Sequence, residues 1–270
     1  MIFSSKPYKI EEVETVNDNV KLMKVKSNMN PLPGKFFEVS LPGVGECPLA
    51  SCSYDDKYLN ILMRNAGNVT SRVFQLEKGD KIFIRGPYGK GFPIKELKGH
   101  DLIFIAGGTG IAPVTSLIEY VEKNRKDFGK VFIYFGFKND DNILLKDKIK
   151  KWSREFKVNI CLDEESKDAK HYTGFVNDII DKQRPNFYKE NIRALICGPE
   201  IMMENVTKSL NKLGIKDNQI YWSMERRMEC AFGSCGRCLI QDVYVCKDGP
   251  VFRYDLIKEK LANEARSNKE

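Results

Sequence analysis

The sequence predicts a β barrel, followed by an α/β nucleotide-binding domain with a parallel sheet, plus a small C-terminal domain built on cysteines. Three observations carry this. Short apolar runs punctuated by Gly and Pro fill the chain to about residue 98. Apolar strands then alternate with helical segments from 99 to 224. Finally, four of the eight cysteines fall between Cys230 and Cys246. The expected domains are 1–98, 99–224 and 225–270. A chain of 270 residues is long for one domain and comfortable for two with an appendage.

The barrel strands are expected at 36–41, ending at Pro42-Gly43, at 59–64, and at 81–85, which runs into Gly86-Pro87-Tyr88-Gly89. The period changes after Gly99. Asp101 to Ala106 reads as a buried strand entering Gly107-Gly108-Thr109-Gly110, with a helix from about Pro113 to Asn124. Strands follow at 131–135, 157–162, 193–197 and 219–222. Helices are expected at 145–156, 175–181 and 201–213. Such alternation places helices on both faces of a parallel sheet. The last segment is too short for a large core, and a metal would supply stability that apolar burial cannot.

Composition narrows the class. Hydrophobic residues make up 42% and charged residues 30%, as in soluble globular proteins. No stretch approaches the ~20 apolar residues that span a bilayer, and the first seven residues lack signal-peptide character. A cytoplasmic location is the expectation. The net charge of +7 is spread among acidic residues, as in Lys146-Asp147-Lys148, so no nucleic-acid partner is expected. Two histidines exclude a multi-histidine metal centre.

The cysteine spacing is Cys230-x4-Cys235-x2-Cys238-x7-Cys246. Four thiolates can hold a zinc ion or an iron–sulfur cluster. The x4-then-x2 opening is the plant-type [2Fe–2S] spacing, and Gly233 and Gly236 let backbone N–H groups turn toward inorganic sulfide. Structural zinc sites more often use two Cys-x2-Cys knuckles, and only one pair here has that spacing. Zinc, a [4Fe–4S] cluster and reactive thiols remain the alternatives.

Gly107, Gly108, Thr109 and Gly110 join a buried strand to a helix, whose first N–H groups can meet a phosphate. Gly67, Asn68, Val69, Thr70 and Ser71 form a second candidate anion site, with Arg64 in the strand before it. Cys197, Gly198 and Pro199 end a sheet strand, where such domains bind ligands. Cys197 is therefore a candidate wall of a nicotinamide pocket, and Cys161 a core residue.

Four segments together carry a resemblance: 34–46, 85–93, 106–113, and 225–238 with 243–252. The chain resembles the ferredoxin-reductase-like flavoproteins that carry a C-terminal [2Fe–2S] appendage, a family that includes electron-transfer subunits of dihydroorotate dehydrogenase and sulfhydrogenase. Within it these segments are most similar to the electron-input subunits of sulfite-reducing complexes. The resemblance implies FAD in the barrel, NADH or NADPH in the α/β domain, and a cluster on Cys230, Cys235, Cys238 and Cys246. Asn68 to Ser71 match the family's flavin phosphate loop, and Cys197-Gly198-Pro199 its Cys-Gly-Pro segment. Cys47-Pro48-Leu49-Ala50 departs from the family's Arg-x-Tyr-Ser/Thr motif, with Ser51 or Ser53 as substitutes for the missing hydroxyl.

The implied function is electron input. Reduced nicotinamide, NADH rather than NADPH, is oxidised through FAD. Single electrons then pass through the cluster to iron–sulfur and sirohaem subunits of a sulfite reductase complex. A hydrogenase or dihydroorotate dehydrogenase partner is the alternative, and a zinc-stabilised binding module is the alternative of another class. No acid–base residue is nominated. Lys138 is the residue that could meet a 2′-phosphate.

Overall fold

The structure is a computed structural model describing residues 4–185 and 189–267. The outermost residues of the expected domains, 1–3 and 268–270, lie outside the described residues.

Six strands form the first sheet. They are β1 (Lys6–Asn17), β2 (Val20–Lys26), β3 (Phe36–Leu41), β4 (Gly45–Ala50), β5 (Tyr58–Arg64) and, after the short helix α1 (Asn68–Val73), β6 (Lys81–Tyr88). The order is β4-β3-β6-β1-β2-β5, every pairing antiparallel. The edge strands β4 and β5 meet through a Ser51–Ile61 bridge and a Cys52 N–H bond to the Asn60 carbonyl, which closes the barrel. Alternation fills it: Ile10, Met23, Phe37, Val39, Ile61, Met63, Ile82 and Ile84 form one buried cluster. On β3 the intervening Phe36 and Glu38 face outward, yet both are buried by the rest of the molecule.

The turn α2 (Ile94–Leu97) leads into the second sheet. Its elements run β7 (Asp101–Gly107), α3 (Ile111–Lys123), β8 (Val131–Phe137), α4 (Lys146–Trp152), β9 (Lys157–Leu162), β10 (Tyr172–Thr173), α5 (Val176–Gln183), β11 (Ile192–Cys197), α6 (Glu200–Lys212) and β12 (Ile220–Ser223). The cysteine segment adds β13 (Leu239–Ile240), β14 (Val243–Tyr244) and α7 (Val245–Asp248). The chain then returns as β15 (Val251–Arg253) and α8 (Tyr254–Ser267).

The sheet order is β10-β9-β8-β7-β11-β12-β15. All pairs are parallel except β12 with β15. The central strand β7 is buried on both faces: Leu102, Phe104 and Ala106 pack into one core cluster, Ile103 and Ile105 into the other. The connection reverses between β7 and β11. That switch point opens a crevice at their carboxyl ends, beside Gly107 and Cys197.

The sheet of 99–224 is parallel as expected, and the C-terminal segment adds β15 to its edge as an antiparallel strand. That segment also shares an apolar core with the sheet: Met228, Cys238, Ile240, Val245, Cys246 and Ile257 cluster with Met224, Trp222 and the β11 side. Tyr254 stacks on Trp222 at 4.7 Å between ring centroids. Among the described residues, no helix is long and apolar enough to cross a membrane.

Candidate functional site

The crevice at the switch point is a cavity of about 880 Å³. Gly107, Gly108, Thr109 and Gly110 form one wall, Gly198 and Pro199 another. Here the glycines are required by close approach. A Cβ on Gly110 would sit 2.7 Å from the Cys197 carbonyl oxygen, and one on Gly198 2.7 Å from Met202 Cε. The far end is lined by Gly136, Phe137, Lys138, Asp163 and Phe175. Phe175 is 61% exposed and offers an aromatic face for a base. Asp163 follows β9, and burial, reinforced by the Glu164 carboxylate, raises its pKa. Lys138 is drawn toward Glu164, at 3.5 Å.

A second cavity, about 260 Å³, lies between the barrel and the sheet. Its apolar walls include Phe36, Leu49, Ala50, Leu62, Pro113 and Pro250. A flat, largely apolar ring system suits such a slot. Met224, directly after β12, and Met228 of the cysteine segment complete the wall. Cys197 opens on this second cavity, whereas Gly198 and Pro199 open on the first. The thiol is buried, which pushes it up to about 12 and keeps it a neutral wall.

Three residues line both cavities: Arg64, Thr109 and Glu225. Arg64 ends β5 and is exposed. Glu225 was not singled out by sequence reasoning. The available signal was its position directly beyond the last parallel strand, at the head of Glu225-Arg226-Arg227-Met228-Glu229-Cys230. Arg226 is anchored beside it, to Glu200 at 3.1 Å and Glu264 at 3.0 Å.

The phosphate-loop candidate is a helix start rather than an open loop. Thr70 Oγ1 accepts the N–H of Ala66 and of Gly67, and Ser71 Oγ lies within hydrogen-bond distance of two acceptors for its one hydrogen, Asn65 Oδ1 and the Gly67 carbonyl. Of Gly67, Asn68, Val69, Thr70 and Ser71, Thr70 borders the second cavity. Val69 instead packs against the barrel core. The expected hydroxyl substitutes are also committed elsewhere. Ser51 Oγ donates to the Ser53 carbonyl and Ser53 Oγ to that of Tyr58, and both side chains are buried away from the cavity.

The four clustered cysteines lie in one loop as two pairs. Ser234 and Cys235 N–H groups point at Cys230 Sγ (3.3 and 3.5 Å). The Gly233 N–H points at Cys246 Sγ (3.2 Å) and the Cys246 N–H at Cys238 Sγ (3.4 Å). Burial pushes the Cys230 thiol up, but the N–H groups of Phe232, Ser234 and Cys235 outweigh it and bring it down to about 6. Cys246 goes the other way: burial and a hydrogen bond with Cys238 push it up to about 12. Among the described residues, no three His, Cys, Asp or Glu side chains converge on a single metal ion. Two thiol pairs, with N–H groups aimed at sulfur, fit the donor set of a two-iron cluster.

Beside this loop, Glu38 of β3 is fully buried and neither carboxyl oxygen has a hydrogen-bond partner. Burial pushes it up to about 8, against the opposing pull of Arg85.

Residues 104–208 match the oxidoreductase NAD-binding domain, and residues 225–258 the iron–sulfur cluster binding domain of dihydroorotate dehydrogenase B. Sulfhydrogenase 2 subunit gamma of Pyrococcus furiosus is 34% identical over 91% of this chain and 93% of its own length. A probable dihydroorotate dehydrogenase B electron transfer subunit of Pyrococcus horikoshii is 38% identical over 93% of this chain and 90% of its own. The chain belongs to this family of flavin-dependent electron-transfer subunits. The electron-transfer subunit also shares its fold with solved structures. An NADH-dependent reduced ferredoxin-NADP oxidoreductase aligns with a TM-score of 0.77, at 21% identity, over 96% of this chain and 94% of that one. A ferredoxin NADP+ reductase of Neisseria gonorrhoeae with bound FAD and NADP aligns at 0.69, with 18% identity, over 81% and 97%. The electron-transfer subunit is thus an NAD(P)H-dependent flavin oxidoreductase that binds FAD and NAD(P) and carries an iron–sulfur cluster.

Proposed function

We propose that this subunit takes two electrons from NADH in the switch-point cavity and delivers them singly to a partner through a [2Fe–2S] cluster. The observation that carries the reading is the course of one segment. Met228 lines the cavity between barrel and sheet, and Cys230, a candidate cluster ligand, follows two residues later. The flavin cavity and the exit are therefore joined by two peptide units.

The walls shared by the two cavities assign roles. Gly107 to Gly110 admit the nucleotide phosphates to the start of α3. Arg64 and Thr109 stand where nicotinamide and flavin would meet, and Cys197 closes the flavin side with a neutral thiol. Phe36, Leu49, Ala50, Met224 and Met228 would hold the flavin ring and exclude water. When bound, FAD converts a two-electron hydride donor into a source of single electrons. NADH leaves as NAD+ with one proton released per electron pair. Asp163 supports NADH over NADPH, because its carboxylate lines the cavity and would repel a 2′-phosphate, while Lys138 is engaged with Glu164. All eight cysteines are free, in keeping with a reducing, cytoplasmic setting.

The partner is a catalytic subunit that accepts single electrons. The relatives named for sulfhydrogenase and dihydroorotate dehydrogenase favour a partner of either of those types. A sulfite-reducing assembly with iron–sulfur and sirohaem subunits is the second reading, and the motif segments at 34–46 and 225–252 support it.

Anaerobic mixing with NADH tests the core of the proposal. Flavin absorbance should bleach first, and an electron paramagnetic resonance signal of reduced [2Fe–2S] should follow. A colourless protein with one zinc and no iron would overturn it. Isolation of the native assembly, assayed for sulfite, hydrogen and dihydroorotate turnover, identifies the partner.

A further inference from the structure

Arg85 lies on β6, where the outward face of the barrel meets the cysteine loop, and is 9% exposed. All five of its N–H bonds end on an acceptor. Nε donates to Glu46 Oε2 (2.8 Å), and Nη2 to Glu46 Oε1 (2.6 Å) and the Glu229 carbonyl (2.7 Å). Nη1 donates to the Tyr88 hydroxyl (2.9 Å) and to the Cys230 carbonyl (2.8 Å). Tyr88 in turn packs on Phe36, 5.8 Å between centroids, and Phe36 lines the flavin cavity. One side chain therefore ties the cavity wall to the backbone of a candidate cluster ligand.

The residue type matters. The guanidinium is planar, always charged and forked, so it meets five acceptors at fixed angles. A lysine offers three donors on a flexible stem. The two partners also occupy different edges. Glu46 takes the Nε–Nη2 edge, and the loop carbonyls take the Nη1–Nη2 end. The positive charge thus stands between the loop and its compensating carboxylate. An electron added to a cluster is added negative charge, and a buried cation nearby favours it.

We propose that Arg85 is a positioning residue for electron exit: it docks the cluster loop onto the flavin barrel, and its charge beside Cys230 raises the reduction potential of the bound cluster. This rests on the reading of Cys230, Cys235, Cys238 and Cys246 as cluster ligands.

The test uses the full chain loaded anaerobically with FAD and cluster, and compares wild type with Arg85→Gln, Arg85→Lys and Glu46→Gln. Iron and sulfide content are measured first. A wild-type chain without a [2Fe–2S] signal would overturn the ligand reading, and this proposal with it. Given that signal, potentials come from redox titration followed by electron paramagnetic resonance. Arg85→Gln should lower the potential, and cluster reduction should slow about tenfold or more while NADH still reduces the flavin at the wild-type rate. Glu46→Gln should shift the potential upward, the opposite sign, and it reports even if Arg85→Gln does not fold. Arg85→Lys should restore most of the potential but not the rate, which separates charge from geometry. Shifts of the same sign in Arg85→Gln and Glu46→Gln, or none in either, would overturn the electrostatic role. An unchanged rate of cluster reduction in Arg85→Gln would overturn the docking role.

Discussion

The two ends of the electron route are built by opposite means. At the crevice between β7 and β11 the site is made largely of main chain: glycines that permit close approach and helix N–H groups. In the cysteine loop four side chains are the site, and the main chain serves them by aiming N–H groups at sulfur. A main-chain site spreads its function over many positions and is damaged where a Cβ intrudes. A ligand site concentrates its function in a few atoms.

The largest expected effect therefore lies in the loop. Cys235→Ser should abolish the cluster signal while NADH still bleaches the flavin. Loss of flavin binding in that variant would break the division between the two ends. Next comes Gly110→Ala, whose Cβ meets the backbone of Cys197 and Gly198 at 2.7–2.9 Å. It should cost about 1–3 kcal/mol in stability, seen by thermal melting, and weaken nucleotide binding. A neutral outcome would show that the crevice is looser than its packing implies. Asp163→Asn removes a carboxylate from the far wall, and selectivity for NADH over NADPH should fall by roughly tenfold, about 1.4 kcal/mol. Unchanged selectivity would shift attention from Asp163 to other far-wall groups.

Last, and spread gradually over several pH units, is the effect of Glu38, buried under the junction of barrel and loop. Its folded pKa of about 8 exceeds its ordinary 4.5 because of burial. The folded state then binds more protons than the unfolded state between those values. Stability from this group is full below 4.5 and falls as pH rises to 8, by at most about 1.4 kcal/mol per pH unit. Glu38→Gln should flatten the dependence of melting temperature on pH across that window. An unchanged slope would place its origin elsewhere.

What was readable in the sequence follows the same divide. The sheet strands from Asp101 to Ser223 announce themselves because burial on both faces demands continuous apolar runs, such as Leu102 to Ala106. The four cysteines were readable because ligand chemistry needs one residue type at set spacing. Strand β1, with Lys, Glu and Thr on its solvent face, was missed because a barrel strand shows only half its residues to the core. Helix α8 is weakly marked in sequence because its Tyr254–Ser267 run is mostly polar and charged, with few apolar residues to show a period. The shared wall was hidden for a deeper reason. Arg64, Thr109 and Glu225 are far apart in sequence, and only the docking of barrel on sheet brings them to the same two cavities. The sequence does not show that the hydroxyls of Thr70 and Ser71 bond to Gly67 in the first turn of α1, because that pairing exists only once the turn has formed.

The strand β15 has a consequence for how the protein comes by its cluster. The cysteine loop leaves the sheet from β12 and returns to the strand beside it, through Trp222–Phe252 and Ser223–Val251 pairing. Both ends of the loop are thus moored to the same sheet edge through main-chain pairing. Pairing of the two ends shortens the loop that must close to gather the four thiols, which lowers its entropy cost. A chain stripped of iron should keep its ligands close at hand, so that cluster insertion is a late, local and repeatable event in the life of the molecule.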